Sequence, residues 1–237
     1  MTDSYQAILF DLDGTLLDSH MDVFLPHYMQ RLAGRMAHLT PPQQFIAHLL
    51  AGTRAMVAND GRATNAEVFA AVFYPAMGRP RAELEPIFRD FYATDYAALR
   101  HLTAPRPAAR PAVQAAFDLG CDVVIATNPL FPETAIRQRM DWAGVADFPY
   151  RRVTTFENSH FAKPNPRYFA EILAEIGCLP AAALVVGDEA ADMIAGQLGC
   201  ATFLTPSVNT KLAAGAPAPT YRGALPDLIT LLTQGGA

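Results

Sequence analysis

Ala7-Ile8-Leu9-Phe10-Asp11-Leu12-Asp13-Gly14-Thr15 carries more structural information than any other run of this chain. Four apolar residues in a row, with no polar alternation, predict a strand buried on both faces, as in a parallel sheet. Asp is a poor strand former, so Asp11 and Asp13 followed by Gly14 mark the point where the chain leaves the sheet. Loops at the carboxyl ends of parallel strands are where open α/β sheets bind ligands. Alone, the stretch would also pass for an ordinary strand and an Asp-rich turn, so the rest of the chain has to be weighed with it.

After this strand no buried strand is expected until about residue 101. Helical spacing of apolar residues runs over 22–36, 43–57, 66–77 and 82–99, with Phe24, Leu25, Tyr28 and Leu32 in the first and Phe88, Phe91, Tyr92 and Leu99 in the last. Breakers separate the pieces, and Asn65 with Glu67 reads as a helix start. Beyond Pro105, Pro107 and Pro111 the pattern changes to alternation. Helix 108–119 leads to strand 121–126, helix 132–142 to strand 152–155, helix 167–176 to strand 183–186, and helix 190–198 to the apolar run 201–204. A Pro/Ala-rich link at 213–219 and a closing helix at 225–232 follow. Strands alternating with helices predict a doubly wound parallel sheet. The expected organisation is an α/β core formed by 1–19 and 104–237, with an all-helical block, 20–103, inserted after the first strand.

Composition sets outer limits. Of 237 residues, 51% are hydrophobic and 17% charged, as in compact folded proteins. The net charge of −5 and the lack of any basic block argue against nucleic acid or an anionic membrane as partner. Cys121, Cys178 and Cys200 are odd in number and widely spaced, which predicts free thiols. No run approaches the ~20 apolar residues of a membrane span. The expected setting is a reducing cytoplasm.

The chemistry lies at the predicted strand ends. Asp11 and Asp13 follow the first strand, Thr127 and Asn128 the second and Asp188 the fourth, with Asp192 four residues further on. Lys163, one of only two lysines, lies in the loop Lys163-Pro164-Asn165-Pro166. In a parallel sheet these ends share one edge, and convergent carboxylates there call for a hard cation with oxygen ligands, for which Mg²⁺ is suited. Each piece has a plain alternative, as turn, helix cap or solvated lysine, but all of them must then coincide in order and strand context.

In that order, Asp11-Leu12-Asp13-Gly14-Thr15, Thr127-Asn128, Lys163-Pro164 and Gly187-Asp188 with Asp192 resemble the four signatures of the haloacid dehalogenase superfamily. The inserted helical block resembles that family's helical cap. The resemblance implies that Asp11 is a nucleophile forming an aspartyl-phosphate, Asp13 the acid–base, and Thr127 and Lys163 the holders of the phosphoryl group, aided by Asn128. It also implies Mg²⁺ held by Asp11, the Asp13 carbonyl and Asp188, with Asp192 supporting the metal waters. The dehalogenase branch typically lacks an aspartate at the position of Asp13, so the phosphatase branch is favoured, with a small phosphorylated metabolite as substrate. A phosphomutase of the same superfamily and a non-catalytic phosphate-binding protein are the alternatives. In the cap, His27, Arg31, Arg54, Arg79 and Arg81 are candidates for a substrate anion, and Arg54, beside Gly52-Thr53, is preferred. The block enters at 19–20 and leaves at 105–111, so these linkers are expected to act as hinges of a lid over Asp11.

Overall fold

The structure is a computed structural model that describes residues 5–211 and 217–234; the expected link at 213–219 therefore falls largely outside the described residues. In chain order, β1 (Ala7–Phe10) is followed by β2 (Leu17–Ser19), α1 (Met21–Met36), α2 (Pro42–Val57), α3 (Asn65–Met77) and α4 (Arg81–Ala93). A 3₁₀ segment at Tyr96–Leu102, β3 (Thr103–Pro105), α5 (Ala109–Asp118), β4 (Asp122–Ile125), α6 (Glu133–Trp142) and β5 (Arg152–Val153) come next. The chain continues with α7 (Arg167–Ile176), β6 (Ala183–Gly187), α8 (Ala190–Met193), a further 3₁₀ segment at Ile194–Leu198, β7 (Ala201–Leu204), β8 (Tyr221–Arg222) and α9 (Leu225–Gln234).

Six strands form a parallel sheet in the order β5-β4-β1-β6-β7-β8. Every residue of β1 is fully buried, because the pleat sends alternate side chains into two different cores. Ile8 and Phe10 join Val123, Ile125, Leu184 and Val186 on the face covered by α5, α6 and α9. Ala7 and Leu9 join Val124 and Val185 against Tyr168, Phe169, Ile172 and Leu173 of α7. An unbroken apolar strand is what a sheet covered on both faces requires. The connections run outward in one direction through β4 and β5, then cross β1 and run outward through β6, β7 and β8. The strand order thus reverses at β1, whose carboxyl end is the crevice where such sheets place ligands.

The insertion is all-helical, as expected, with local differences. Helix 82–99 breaks after Ala93 and resumes as the 3₁₀ segment, and helix 190–198 is one turn of α8 followed by 3₁₀. The start of α3 is a capping box, in which Thr64 Oγ1 accepts from the Glu67 N–H and the Thr64 N–H donates to Glu67 Oε2 at 2.8 Å. The two linkers are not loose: β2 and β3 pair antiparallel, Leu17 opposite Pro105 and Ser19 opposite Thr103, so the insertion stands on a two-stranded ribbon. Strands this short escape a reading based on hydrophobic period, since three residues carry no period.

The helical block is also fastened to the core elsewhere. Phe24 and Tyr96 lie against Trp142 of α6, with ring centroids 6.4 and 5.5 Å apart, and Tyr28 packs on Phe131 at 5.2 Å. Asn65, fully buried, donates from Nδ2 to the carbonyls of Pro129 and Phe161 at 3.2 and 3.3 Å, while its Oδ1 accepts from Asn59 Nδ2 at 2.9 Å. Removing one partner of a buried hydrogen bond costs about 1–3 kcal/mol. Asn65→Ala is therefore expected to lower unfolding stability by that amount in urea titrations. A loss within about 0.5 kcal/mol, the range of an ordinary surface change, would mean that this junction contributes nothing.

Candidate active site

Parallel pairing brings the predicted strand ends together. Asp11, Asp13, Thr127, Asn128, Lys163, Asp188 and Asp192 all line one cavity of about 600 Å³ between the sheet edge and the helical block. Asp11, Asp188 and Asp192 each offer a carboxylate oxygen, and these atoms lie within 4.8 Å of one another. Lys163 Nζ donates to Asp11 Oδ1 at 2.8 Å and to Asp192 Oδ1 at 2.5 Å. Burial alone would pull the Lys163 ammonium down, but the Asp11 and Asp192 carboxylates outweigh it and hold its pKa well above the usual lysine value.

Two glycines make this approach possible. Gly14 has φ of 86°, a region that favours glycine, and a Cβ there would run into the Asp188 carboxylate. A Cβ on Gly187 would run into the Asp192 carboxylate. Short hydroxyl side chains fill the remaining positions. The single Thr15 hydroxyl proton serves Asp11 Oδ2 at 3.0 Å or Asp188 Oδ1 at 3.4 Å, and Ser207 Oγ donates to Asp188 Oδ2. Thr210 Oγ1 donates to the Asp188 carbonyl at 2.6 Å.

The donor set fits a hard divalent cation. It is built of oxygen alone, it is buried, and one ammonium does not balance three carboxylates. The imbalance is visible at Asp188, where burial and then the neighbouring Asp11 and Asp192 charges push the carboxyl up to about 8. Asp192 is expected only to support metal waters, yet its carboxylate stands inside the cluster. The Asp13 carboxylate is not one of the group.

Asp13 points to a different partner. Its Oδ1 accepts from Ser19 Oγ at 3.2 Å, and its Oδ2 is paired with Arg139 Nη1 from the middle of α6. Burial raises the Asp13 pKa, and the Arg139 charge opposes the rise. Arg139 is 1% exposed and lies over the Phe131 ring at 4.5 Å. It is a site residue that the sequence analysis misses: it falls on the apolar face of its helix with Ala135, Ile136 and Met140, and its partner Asp13 lies 126 positions away, so nothing local names the pair. Thr15, Ser207 and Asn209, which lines the cavity and donates from Nδ2 to the Ser19 carbonyl at 2.7 Å, are missed likewise. Thr15 lies inside the first signature, and the other two carry no signal beyond a Ser/Asn-containing turn.

The second strand end is held by its own contacts. The Thr127 carbonyl accepts from Thr154 Oγ1 at 2.7 Å and Tyr168 Oη at 2.8 Å, and Asn128 Oδ1 accepts from the Lys163 N–H at 3.2 Å. In the cap the expectation fails for Arg54, which is exposed and does not line the cavity, whereas Thr53 does. Helix α2 turns its apolar Leu49 and Met56 inward, and adjacent positions on a helix face about 100° apart, so Arg54 points elsewhere. Of His27, Arg31, Arg54, Arg79 and Arg81, Arg81 alone lines the cavity, and it is paired with Glu85 at 2.5 Å.

The sequence model of the haloacid dehalogenase-like hydrolases matches residues 5–198, most of the chain. The chain belongs to that family. Among curated proteins it is 28% identical over 202 residues to a phosphoglycolate phosphatase of Vibrio vulnificus (strain YJ016), covering 84% of this chain and 82% of that one. Its fold is similar to the HAD phosphatase from Thermococcus onnurineus, with a TM-score of 0.61 at 18% identity over 96% and 97% of the two chains. It is also similar to the L-2-haloacid dehalogenase from Xanthobacter autotrophicus, with a TM-score of 0.60 at 19% identity over 98% and 100%. This haloacid dehalogenase-like hydrolase therefore shares its fold with phosphatases and dehalogenases alike, and the choice between them rests on the site. No helix among the described residues is long and apolar enough to cross a membrane.

Removing one member of a buried ion pair leaves the other unpaired and costs about 3–5 kcal/mol. Arg139→Met is expected to destabilise the protein by that amount in guanidinium titrations. The double variant Arg139→Met/Asp13→Asn should recover part of the loss, and strict additivity of the two single changes would show that the pair is not coupled.

Proposed function

We propose that this hydrolase is a Mg²⁺-dependent phosphatase that cleaves a small phosphorylated substrate through an aspartyl-phosphate on Asp11. The observation that carries the reading is Asp13: a second carboxylate two residues after Asp11, in the same cavity, held by Arg139 and Ser19 outside the Asp11–Asp188–Asp192 cluster. Cleaving a carbon–halogen bond releases halide, which needs no proton. Phosphoryl transfer to Asp11 releases an alkoxide, which does.

In the first step an Asp11 carboxylate oxygen attacks phosphorus in line with the leaving oxygen, and the phosphorus–oxygen ester bond breaks. The proton on Asp13 goes to that oxygen, giving the free alcohol. In the second step Asp13 takes a proton from water, the water oxygen attacks phosphorus, and the bond to Asp11 breaks to return the carboxylate and orthophosphate. Burial raises the Asp13 pKa, as an acid at neutral pH requires, and the Arg139 charge limits the rise, as a base requires. Lys163, kept protonated by its two carboxylate partners, offsets charge on the phosphoryl oxygens, and Thr127 and Asn128 border them. Asp11, Asp188 and Asp192, with the carbonyl of Asp13, would hold Mg²⁺. When bound, it neutralises the carboxylates and draws a phosphate dianion toward Asp11.

We further propose that residues 20–103 form a cap over a core made of 1–19 and 104–237, and that a phosphorylated metabolite such as phosphoglycolate, named for the Vibrio relative, is among the compounds to assay. A cytoplasmic setting is consistent with three free cysteines.

Asp11→Asn is expected to abolish phosphate release from p-nitrophenyl phosphate while leaving the circular dichroism spectrum unchanged. Retained turnover in that variant would remove Asp11 from the chemistry. EDTA is expected to stop the reaction and added Mg²⁺ to restore it, as followed by released orthophosphate. Full activity after exhaustive chelation would overturn the metal dependence.

A further inference from the structure

The cavity above the carboxylates has two chemically different ends. Its floor is the charged cluster. The walls contributed by the helical block are mostly apolar: Leu25 and Met29 of α1, Leu50 and Met56 of α2, Phe69 of α3 and Phe88 of α4 all line it. Leu25, Met29, Phe69 and Phe88 are half-buried and Leu50 is 39% exposed, so these side chains keep apolar surface open to the cavity even where, as with Phe69 and Phe88 against Phe73, they also pack on the core. Phe73 and Phe91, about a turn away in the same helices, are fully buried in the core. The helices therefore have apolar surface in excess of what their own packing uses, directed at the space over Asp11.

Charge on the walls points the same way. Beyond the cluster and Asp13, the cavity is lined by Glu85, Glu157 and Glu189. From the cap it receives, among the described residues, only two cations, Arg81 and Arg89, both solvent-exposed, and Arg81 is tied to Glu85. Arg139 is committed to Asp13 and Lys163 to Asp11 and Asp192. A leaving group with its own carboxylate would meet excess negative charge here, since the lining carboxylates outnumber the cations and both buried cations already face a carboxylate, Arg139 keeping only Nε and Nη2 without a partner.

We infer that the leaving group of the substrate is a hydrophobic alcohol seated against Leu25, Met29, Leu50, Phe69 and Phe88, so that the substrate is the phosphomonoester of an alkyl or aryl alcohol and not of a small hydroxy acid. The inference rests on the phosphatase reading for its chemistry, but its recognition step stands on the cavity alone. A single ligand spans both ends, with phosphate at the cluster and hydrocarbon under the cap. A volume of about 600 Å³ lies within the ~300–1,000 Å³ of sites that enclose drug-sized ligands.

The test uses the whole chain with Mg²⁺ and two parallel series. Binding of methyl-, butyl-, hexyl- and octylphosphonate, which are not hydrolysed, is measured by calorimetry. Release of phosphate is measured from the matching alkyl phosphates, from p-nitrophenyl phosphate and from 2-phosphoglycolate. Each methylene moved from water into an apolar site is worth about a fourfold change in affinity. The phosphonate Kd is expected to fall about fourfold per methylene until the chamber is full, and kcat/KM to rise in parallel, with 2-phosphoglycolate at least about tenfold below hexyl phosphate. In Leu50→Gln, a partly exposed position where the fold tolerates a polar side chain, the chain-length slope should flatten. A Kd independent of chain length, a slope unchanged in the variant, or 2-phosphoglycolate as the best substrate overturns the inference. Chain-length-dependent binding with no phosphate released from any ester supports the recognition step, an apolar chain under the helical block with its phosphate at the cluster, and overturns the phosphatase reading together with the leaving-group assignment.

Discussion

Three buried carboxylates held around one ammonium group are the constraint on which the rest of this structure depends. Asp11, Asp188 and Asp192 reach within 4.8 Å of each other, and Lys163 bridges two of them. Charges of one sign in a low-dielectric site repel strongly unless compensated, so the fold has to supply compensation. Lys163 is delivered by the loop before α7, Thr15 and Ser207 donate hydroxyl protons, and Gly14 and Gly187 leave room for the carboxylates. The parallel sheet is what brings these pieces to one edge, because each strand ends on the same side and β1, at the reversal of strand order, is flanked by both β4 and β6.

A second buried pair, Asp13 with Arg139, keeps the neighbouring carboxylate in another environment. Two aspartates separated by one residue thereby sit in different electrostatic settings. Asp11 faces Lys163 and the other carboxylates, and Asp13 faces a guanidinium and a hydroxyl. The proposed division of labour, Asp11 to attack and Asp13 to carry a proton, relies on that difference in setting. The helical block completes the site from above. Its aromatic side chains fall into two sets, those that weld it to α6 through Phe24, Tyr96 and Trp142, and those such as Phe69 and Phe88 that face the cavity. The same hydrophobic effect that folds the block thus shapes what it can admit.

The architecture and the polar floor of the site were legible in the order of the amino acids. Ala7–Phe10 has the unbroken apolar run of a strand buried on both faces, and the later strands and helices alternate with enough period to predict the parallel sheet. The floor could be read because each of its residues lies at a strand end or in a signature loop, so local order along the chain encodes nearness in space once the strands are parallel.

Other features exist only once the chain is packed. Arg139 shares the buried face of its helix with Ala135, Ile136 and Met140, opposite the exposed Arg137, but the helical period does not say which distant carboxylate meets it there. Arg54 points outward because a helix repeats every 3.6 residues and its inward positions are taken by Leu49 and Met56. The β2–β3 ribbon joins Leu17 to Pro105 and Ser19 to Thr103, segments separated by the whole helical block, and such pairing is a matter of register that composition does not encode. The apolar chamber was unreadable for a related reason. Hydrophobic period says which residues turn away from water, but only packing decides whether they are enclosed on all sides, as Phe73 is, or stack on the core with one face and meet a cavity with the other, as Phe69 does.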